Sequence, residues 1–274
     1  PAPSSEFRFH PMTDLLLSAQ PLPPVAKTLV QQTELHGETR VDPYAWLRER
    51  ENPDVTAYLE AENAYTKAMM RHTEPLQEAL YQEMLARIKE DDASAPVRHG
   101  DYFYYTRSET GKAYPIYCRR RGAAAAEQVY FDQNAAATGH AFYQLGGLEV
   151  SPDHRRLAIL EDVDGYEDFT LRVKDLDTDT WLPDRVEKLG FGIAWASDSA
   201  TVFYLTTDAA KRCDRVWRHT LGAADASDVS VFHERGLLCN VGVQRCRSGA
   251  FIVISSTSFT DSEVWLVSAA QPES

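Results

Sequence analysis

The chain has 274 residues and a mass of 30.8 kDa, and is 43% hydrophobic, 11% aromatic and 25% charged. That is enough apolar material for a sizeable core and too much for an extended disordered chain. Lys and Arg number 28 against 41 Asp and Glu, a formal net charge of -13, so nucleic acid, which needs a basic footprint, is not an expected partner, and cationic ligands are favoured instead.

Residues 1–32 carry six prolines and no periodicity, and read as an extended or disordered lead-in. Its one apolar run, Leu15-Leu16-Leu17, is far short of the roughly 20 residues that span a bilayer and too short for a signal-peptide core. No membrane association is expected. The chain starts at Pro1 and not at Met, which suggests a fragment or a processed product.

Residues 33–92 read as a helical segment. Asn52-Pro53-Asp54 is a start signal, with Asn at the N-cap, Pro at the first helical position and an acid in the first turn. Val55, Tyr58, Leu59 and Tyr65 follow at helical spacing. A second helix starts at Thr73-Glu74-Pro75, carries the stripe Leu76, Ala79, Leu80, Met84, Leu85 and Ile88, and is expected to end near Lys89.

From residue 93 to 274 the period changes to two, with aromatic and β-branched residues. Four strands line up at Tyr102–Arg107, Leu157–Asp162, Val202–Thr207 and Phe251–Ser256, each followed by a second about a dozen residues on. Three are also preceded by a strand that runs into a tight turn: at Leu148–Val150, Ile193–Trp195 and Val241–Val243. Fourth strands are visible at Val129–Asp132 and Val229–Glu234. Four antiparallel strands recurring at this interval predict propeller blades, near 97–132, 142–183, 190–234 and 238–270. The recurring Tyr102, Tyr104, Tyr105, Trp195, Trp217 and Trp265 are read as inter-blade packing at equivalent blade positions.

No G-x-S-x-G, phosphate loop or dinucleotide fingerprint occurs, the eight histidines are dispersed, and no cofactor or metal site is expected. Catalytic residues are therefore not assigned. Cys118, Cys213, Cys239 and Cys246 have no C-x-x-C spacing, which fits free thiols in a reducing compartment and a cytoplasmic location; Cys239 and Cys246 read as small buried hydrophobes. The densest charge feature runs from Glu161 to Asp168, in a hairpin of the second blade. It reads first as a solvated hairpin whose charges block edge pairing. Its functional reading is an acidic rim of Asp162, Asp164, Glu167 and Asp168 that positions a cationic peptide or a partner domain.

The segment TELHGETRVDPYAWLRERENPDVTAYLEAENAYTKAMM, from Thr33 to Met70, resembles the N-terminal region of the prolyl oligopeptidase family of serine peptidases, and most of all its oligopeptidase B (protease II) branch. His36-Gly37, Arg40, Asp42, Tyr44, Trp46-Leu47-Arg48, Tyr58-Leu59 and Glu62-Asn63 sit at the family's entry motif. The likeness continues through FYQLGGLEVSPDHRRLAILEDVDGYEDFTLRVKDLDTDTW, IAWASDSATVFYLTT, RVWRHTLG and TSFTDSEVWLV, in order from Pro24 to the end.

The resemblance implies a mainly β chain: an incomplete seven-bladed-type propeller of about four blades, preceded by helices that pack on an α/β-hydrolase domain absent here. The family's Ser, Asp and His lie in that domain, so the chain alone is expected to be inactive. The complete enzyme would be a Ser-His-Asp endopeptidase cleaving short peptides after Arg or Lys, with the propeller gating access. The alternatives are a free-standing propeller that binds a protein or peptide, and a post-proline-specific member of the same family.

Overall fold

A computed structural model describes residues 21–122 and 124–273. Most of the expected lead-in, residues 1–20, lies outside the described residues, and 21–30 carry no regular secondary structure. The chain divides into two compact units, Pro1–Lys89 and Glu90–Ser274.

The first unit corrects the helical reading of its start. Strands β1 (Gln31–Leu35) and β2 (Glu38–Asp42) form an antiparallel hairpin over the stretch expected to be helical from Thr33. His36 and Gly37 both take positive φ, 55° and 80°, so a two-residue turn matches the twist of the strands. Nine of the ten strand residues are exposed, so no apolar alternation marks them. Trp46, 5% exposed, anchors the unit: its Nε1 donates to the Lys27 carbonyl at 2.9 Å and Tyr58 packs edge-on against its ring.

Helix α1 (Pro53–Met70) begins at the expected signal, with the Asn52 side chain accepting the Asp54 N–H at 3.0 Å. Helix α2 (Glu74–Leu85) starts at Thr73 as expected but stops short of Lys89. Its stripe is unburied: Leu76, Leu80 and Met84 are 61%, 47% and 59% exposed. An apolar stripe of this kind needs a partner to be stable in water.

The second unit consists of four blades side by side. Blade one contains β3 (Val97–His99), β4 (Tyr102–Arg107), β5 (Ile116–Arg121) and β6 (Gln128–Asp132), followed by one helical turn, α3 (Gln133–Ala136). Blade two contains β7 (Gln144–Val150), β8 (Arg156–Asp162), β9 (Phe169–Asp175) and the first half of β10 (Thr180–Trp195). The second half of β10 opens blade three, joined by β11 (Thr201–Thr207), β12 (Cys213–Thr220) and β13 (Val229–His233). Blade four contains β14 (Asn240–Arg245), β15 (Phe251–Thr257) and β16 (Ser262–Ser268).

The sheets number four among the described residues, with two, four, seven and three strands, because β10 runs without a break from one blade into the next. Leu189 is the crossing point, paired with Phe169 on one side and Thr206 on the other. The fourth strand of blade two, absent from the sequence reading, is therefore the first half of this 16-residue strand.

Alternation along the second strand of each blade builds the core. Leu157 and Ile159 face blade one with Tyr130 and Phe131, while Ala158 and Leu160 face blade three with Val202, Tyr204 and Trp195. Phe203 and Leu205 in turn meet Ile252 and Ile254 of blade four. With a side-chain period of two, one strand serves two interfaces.

The tryptophans do pack between blades, but not all at equivalent positions. Trp195 lies on a first strand and donates to the Glu149 carbonyl of the neighbouring blade at 2.9 Å. Trp217 and Trp265 lie on third strands, and Trp265 meets Phe232 at 4.4 Å. The outer face of blade four is open, with Val264 59% and Leu266 60% exposed.

Candidate functional site

Antiparallel blades have two unlike ends. Turns joining first to second strands lie at one end, and hairpins joining second to third strands at the other. The acidic segment is the second-to-third hairpin of blade two, between β8 and β9.

Asp162 is not on the rim. It is 1% exposed, and its carboxylate accepts the backbone N–H groups of Asp164, Gly165 and Glu167 at 2.8, 2.9 and 2.8 Å. Burial pushes this carboxyl up, but the three donors outweigh it and hold it below the usual carboxylate range. Its role is to fold the hairpin that presents the others. Asp164, Glu167 and Asp168 are exposed, and Asp168 pairs with Lys211.

A cavity of about 270 Å³ opens at this hairpin, lined by Glu161, Asp164, Asp168, Arg185, Glu187 and Lys188 among others. Glu161 is held in place by the Tyr143 hydroxyl at 2.9 Å and Arg172 at 3.1 Å. The sequence reading missed Glu161 as a wall residue because its two partners lie 18 and 11 residues away. The cavity carries both signs, with an acidic excess, and suits a cationic side chain flanked by a polar backbone.

Nothing resembling a nucleophile and its base occurs among the described residues: no serine, threonine or cysteine is hydrogen-bonded to a histidine ring. His219 is the most elaborately held histidine. Its Nδ1 faces Asp228 at 2.7 Å and its Nε2 faces Asp184 at 3.2 Å, with all three side chains at most 3% exposed. Both ring nitrogens face carboxylates and the three side chains are almost wholly buried, so this is an internal tie between blades two and three and not a general base. No spacing in the sequence could have revealed it. No group of three or more His, Cys, Asp or Glu among the described residues is placed to hold a metal ion.

All four cysteines are free. Cys118 is buried, and burial pushes its thiol up to about 11. Cys239 and Cys246 are both only partly buried, which corrects the reading of them as small buried hydrophobes, and Cys246 is the more distinctive. It is half-buried in the turn between β14 and β15, and hydrogen bonds from the Ser248 hydroxyl and the Phe251 N–H bring its thiol down to about 7.

Blades of this order and pairing define a partial β-propeller. The model of the family "Prolyl oligopeptidase, N-terminal beta-propeller domain" matches residues 23–274, and the chain belongs to this family. It is 40% identical to dipeptidyl aminopeptidase BI of Pseudoxanthomonas mexicana, over 96% of this chain and 39% of that protein. It is 36% identical to protease 2 of Moraxella lacunata, over 91% of this chain and 37% of that protein. Among solved structures, oligopeptidase B from Leishmania major superposes with a TM-score of 0.84 at 31% identity, over 90% of this chain and 38% of that one. The chain thus spans under two-fifths of the length of these relatives.

Proposed function

We propose that this chain is the gating propeller and helical entry segment of an oligopeptidase B-like serine endopeptidase that hydrolyses short peptides after Arg or Lys. The observation that carries the proposal is the likeness along residues 23–274 to peptidases of this family, at 31–40% identity to the three relatives described. In the complete enzyme a Ser-His-Asp triad on the hydrolase domain performs acyl transfer. The propeller covers that site and admits only chains thin enough to reach it. The exposed α2 stripe of Leu76, Leu80 and Met84 supplies a surface for the hydrolase domain to bury. The cavity at the acidic hairpin and the net charge of -13 favour basic peptides. A cytoplasmic location belongs to this proposal and rests on the four free cysteines.

A second reading is favoured by the 40% identity to a dipeptidyl aminopeptidase: release of dipeptides from free N-termini. One assay separates the two. The full-length enzyme containing this chain is offered reporter peptides ending in Arg, Lys or Pro, each with a blocked and a free N-terminus. Turnover of blocked Arg and Lys reporters is expected. Activity confined to free N-termini supports the second reading, and a preference for the blocked Pro reporters overturns both. The 274-residue chain alone is expected to cleave none, and hydrolysis that survives repurification would reveal a site in this chain.

The acidic hairpin has its own test. In the full-length enzyme, the double substitution Asp164→Asn and Glu167→Gln raises KM for basic peptides about two- to fivefold at low salt, the scale of exposed charge pairs, and leaves kcat unchanged. The difference vanishes near 1 M salt, where screening is complete within about 3 Å. A KM shift that persists at high salt would rule out the electrostatic role.

A further inference from the structure

The first strands of the blades line one surface. At the end where first-to-second-strand turns gather, two cavities of about 520 and 510 Å³ adjoin, sharing His99, Glu149, Val150 and Arg247 in their walls. Arg98, from blade one, lines the first cavity; Arg245, from blade four, lines the second; and Arg247 lines both.

Among the described residues these three guanidiniums have no carboxylate partner. The Arg98 Nε donates to the Gly100 carbonyl at 3.1 Å. Arg245 donates to the Gly249 carbonyl at 2.8 and 3.2 Å and to the Ser197 hydroxyl at 2.9 Å. Arg247 has no hydrogen bond or ion pair among the described residues. Elsewhere in the same unit Arg107, Arg155, Arg172 and Arg212 meet carboxylates, while Arg119, Arg156 and Arg218 meet backbone carbonyls one at a time; only here, among the described residues, do three arginines without a carboxylate partner gather around one space. A chain with 41 acids that leaves three arginines unpaired around one space has a local positive potential there against its global sign. Glu149 is the one carboxylate side chain in either lining, and desolvation pushes its carboxyl up, which weakens it as a counter-ion.

We propose that these joined cavities bind a small multivalent oxyanion, such as a diphosphate or polycarboxylate, between Arg98 on one wall and Arg245 and Arg247 on the other. The guanidinium fork matches carboxylate and phosphate oxygens alike. An anion charged at both ends satisfies both walls, whereas a single carboxylate satisfies one. Cys246, between the two blade-four arginines and in the second lining, reports occupancy, because a bound anion covers its thiol and disfavours the thiolate.

The full-length enzyme containing this chain is titrated with pyrophosphate and, separately, with citrate, at ionic strength held constant with sodium chloride. Heat of binding is measured, and iodoacetamide labelling of Cys246 is followed by peptide mapping. Saturable binding with slowed Cys246 labelling is expected. Arg98→Ala and Arg247→Ala should each weaken it about tenfold, as loss of one charge-assisted contact does, with unchanged far-UV circular dichroism. Glu149→Gln should tighten it severalfold. Binding of both anions supports the shared oxyanion chemistry, and binding of only one identifies the phosphate or the carboxylate as the source. An equal effect of sodium chloride, or arginine variants that bind like the parent, would overturn the proposal.

Discussion

Replacing His219 with leucine is expected to destabilise the propeller unit by about 3–5 kcal/mol, the cost of removing one partner from a buried ionic network. Asp184 comes from the outer strand of blade two, His219 from β12 of blade three, and Asp228 from the loop before β13. Asp184 also accepts the Gly222 N–H at 2.5 Å, and Asp228 accepts the Tyr204 hydroxyl at 2.8 Å. Leucine would leave two carboxylates, 3% and 2% exposed, without the ring that bridges them. The measurement is urea unfolding of the parent and variant, with the midpoint shifted at constant slope. Pairing His219→Leu with Asp184→Asn and Asp228→Asn should recover part of the loss, because neutral amides tolerate burial where lone carboxylates do not. A loss below about 1 kcal/mol for His219→Leu, the worth of an exposed pair, would mean that the network is hydrated.

Asp162→Ala is the second large effect, about 3 kcal/mol, since hydrogen bonds to a charged acceptor each contribute about 1.5–3 kcal/mol and the freed N–H groups regain water at an exposed hairpin. Asp162→Asn keeps an oxygen for the Asp164 and Gly165 donors and should lose about half as much. The folded-state value of this carboxyl is depressed. Its stabilisation is therefore present above the unfolded value of about 3.9 and is lost as pH falls through the lower folded value. Unfolding measured between about pH 6 and pH 2 should show a steeper acid loss in the parent than in Asp162→Asn. Parallel profiles would show that the three hydrogen bonds carry no charge-dependent stability. In the full-length enzyme Asp162→Ala should also reproduce the KM rise of the Asp164 and Glu167 substitutions, because it unfolds the loop that presents them.

The blades were legible because their strands recur in one order at a regular interval, even where burial on both faces erases alternation and leaves a short apolar run, as at Leu157 to Leu160. The α1 start was legible because Asn52-Pro53-Asp54 acts through local hydrogen bonds and fixed φ. The β1–β2 hairpin was not, because its residues are exposed and only His36-Gly37 marks it. Nor was the first half of β10, since Pro183 and the polar residues around it look like a loop until β9 pairs with them.

The charge of -13 followed from composition, and the dense acids of residues 161–168 and a chain of repeating antiparallel blades without a local nucleophile motif followed from the order of residues. Only tertiary structure separated the acids by job, burying Asp162 under three N–H groups while leaving Asp164 and Glu167 in water. Only tertiary structure brought Arg98 to the same space as Arg245 and Arg247, and closed Asp184 and Asp228 on His219. Local pattern determines which strands form, because hydrogen-bonded pleats and capped turns are short-range. The meeting of side chains from different blades depends on how the blades stack, and that is a property of the packed unit.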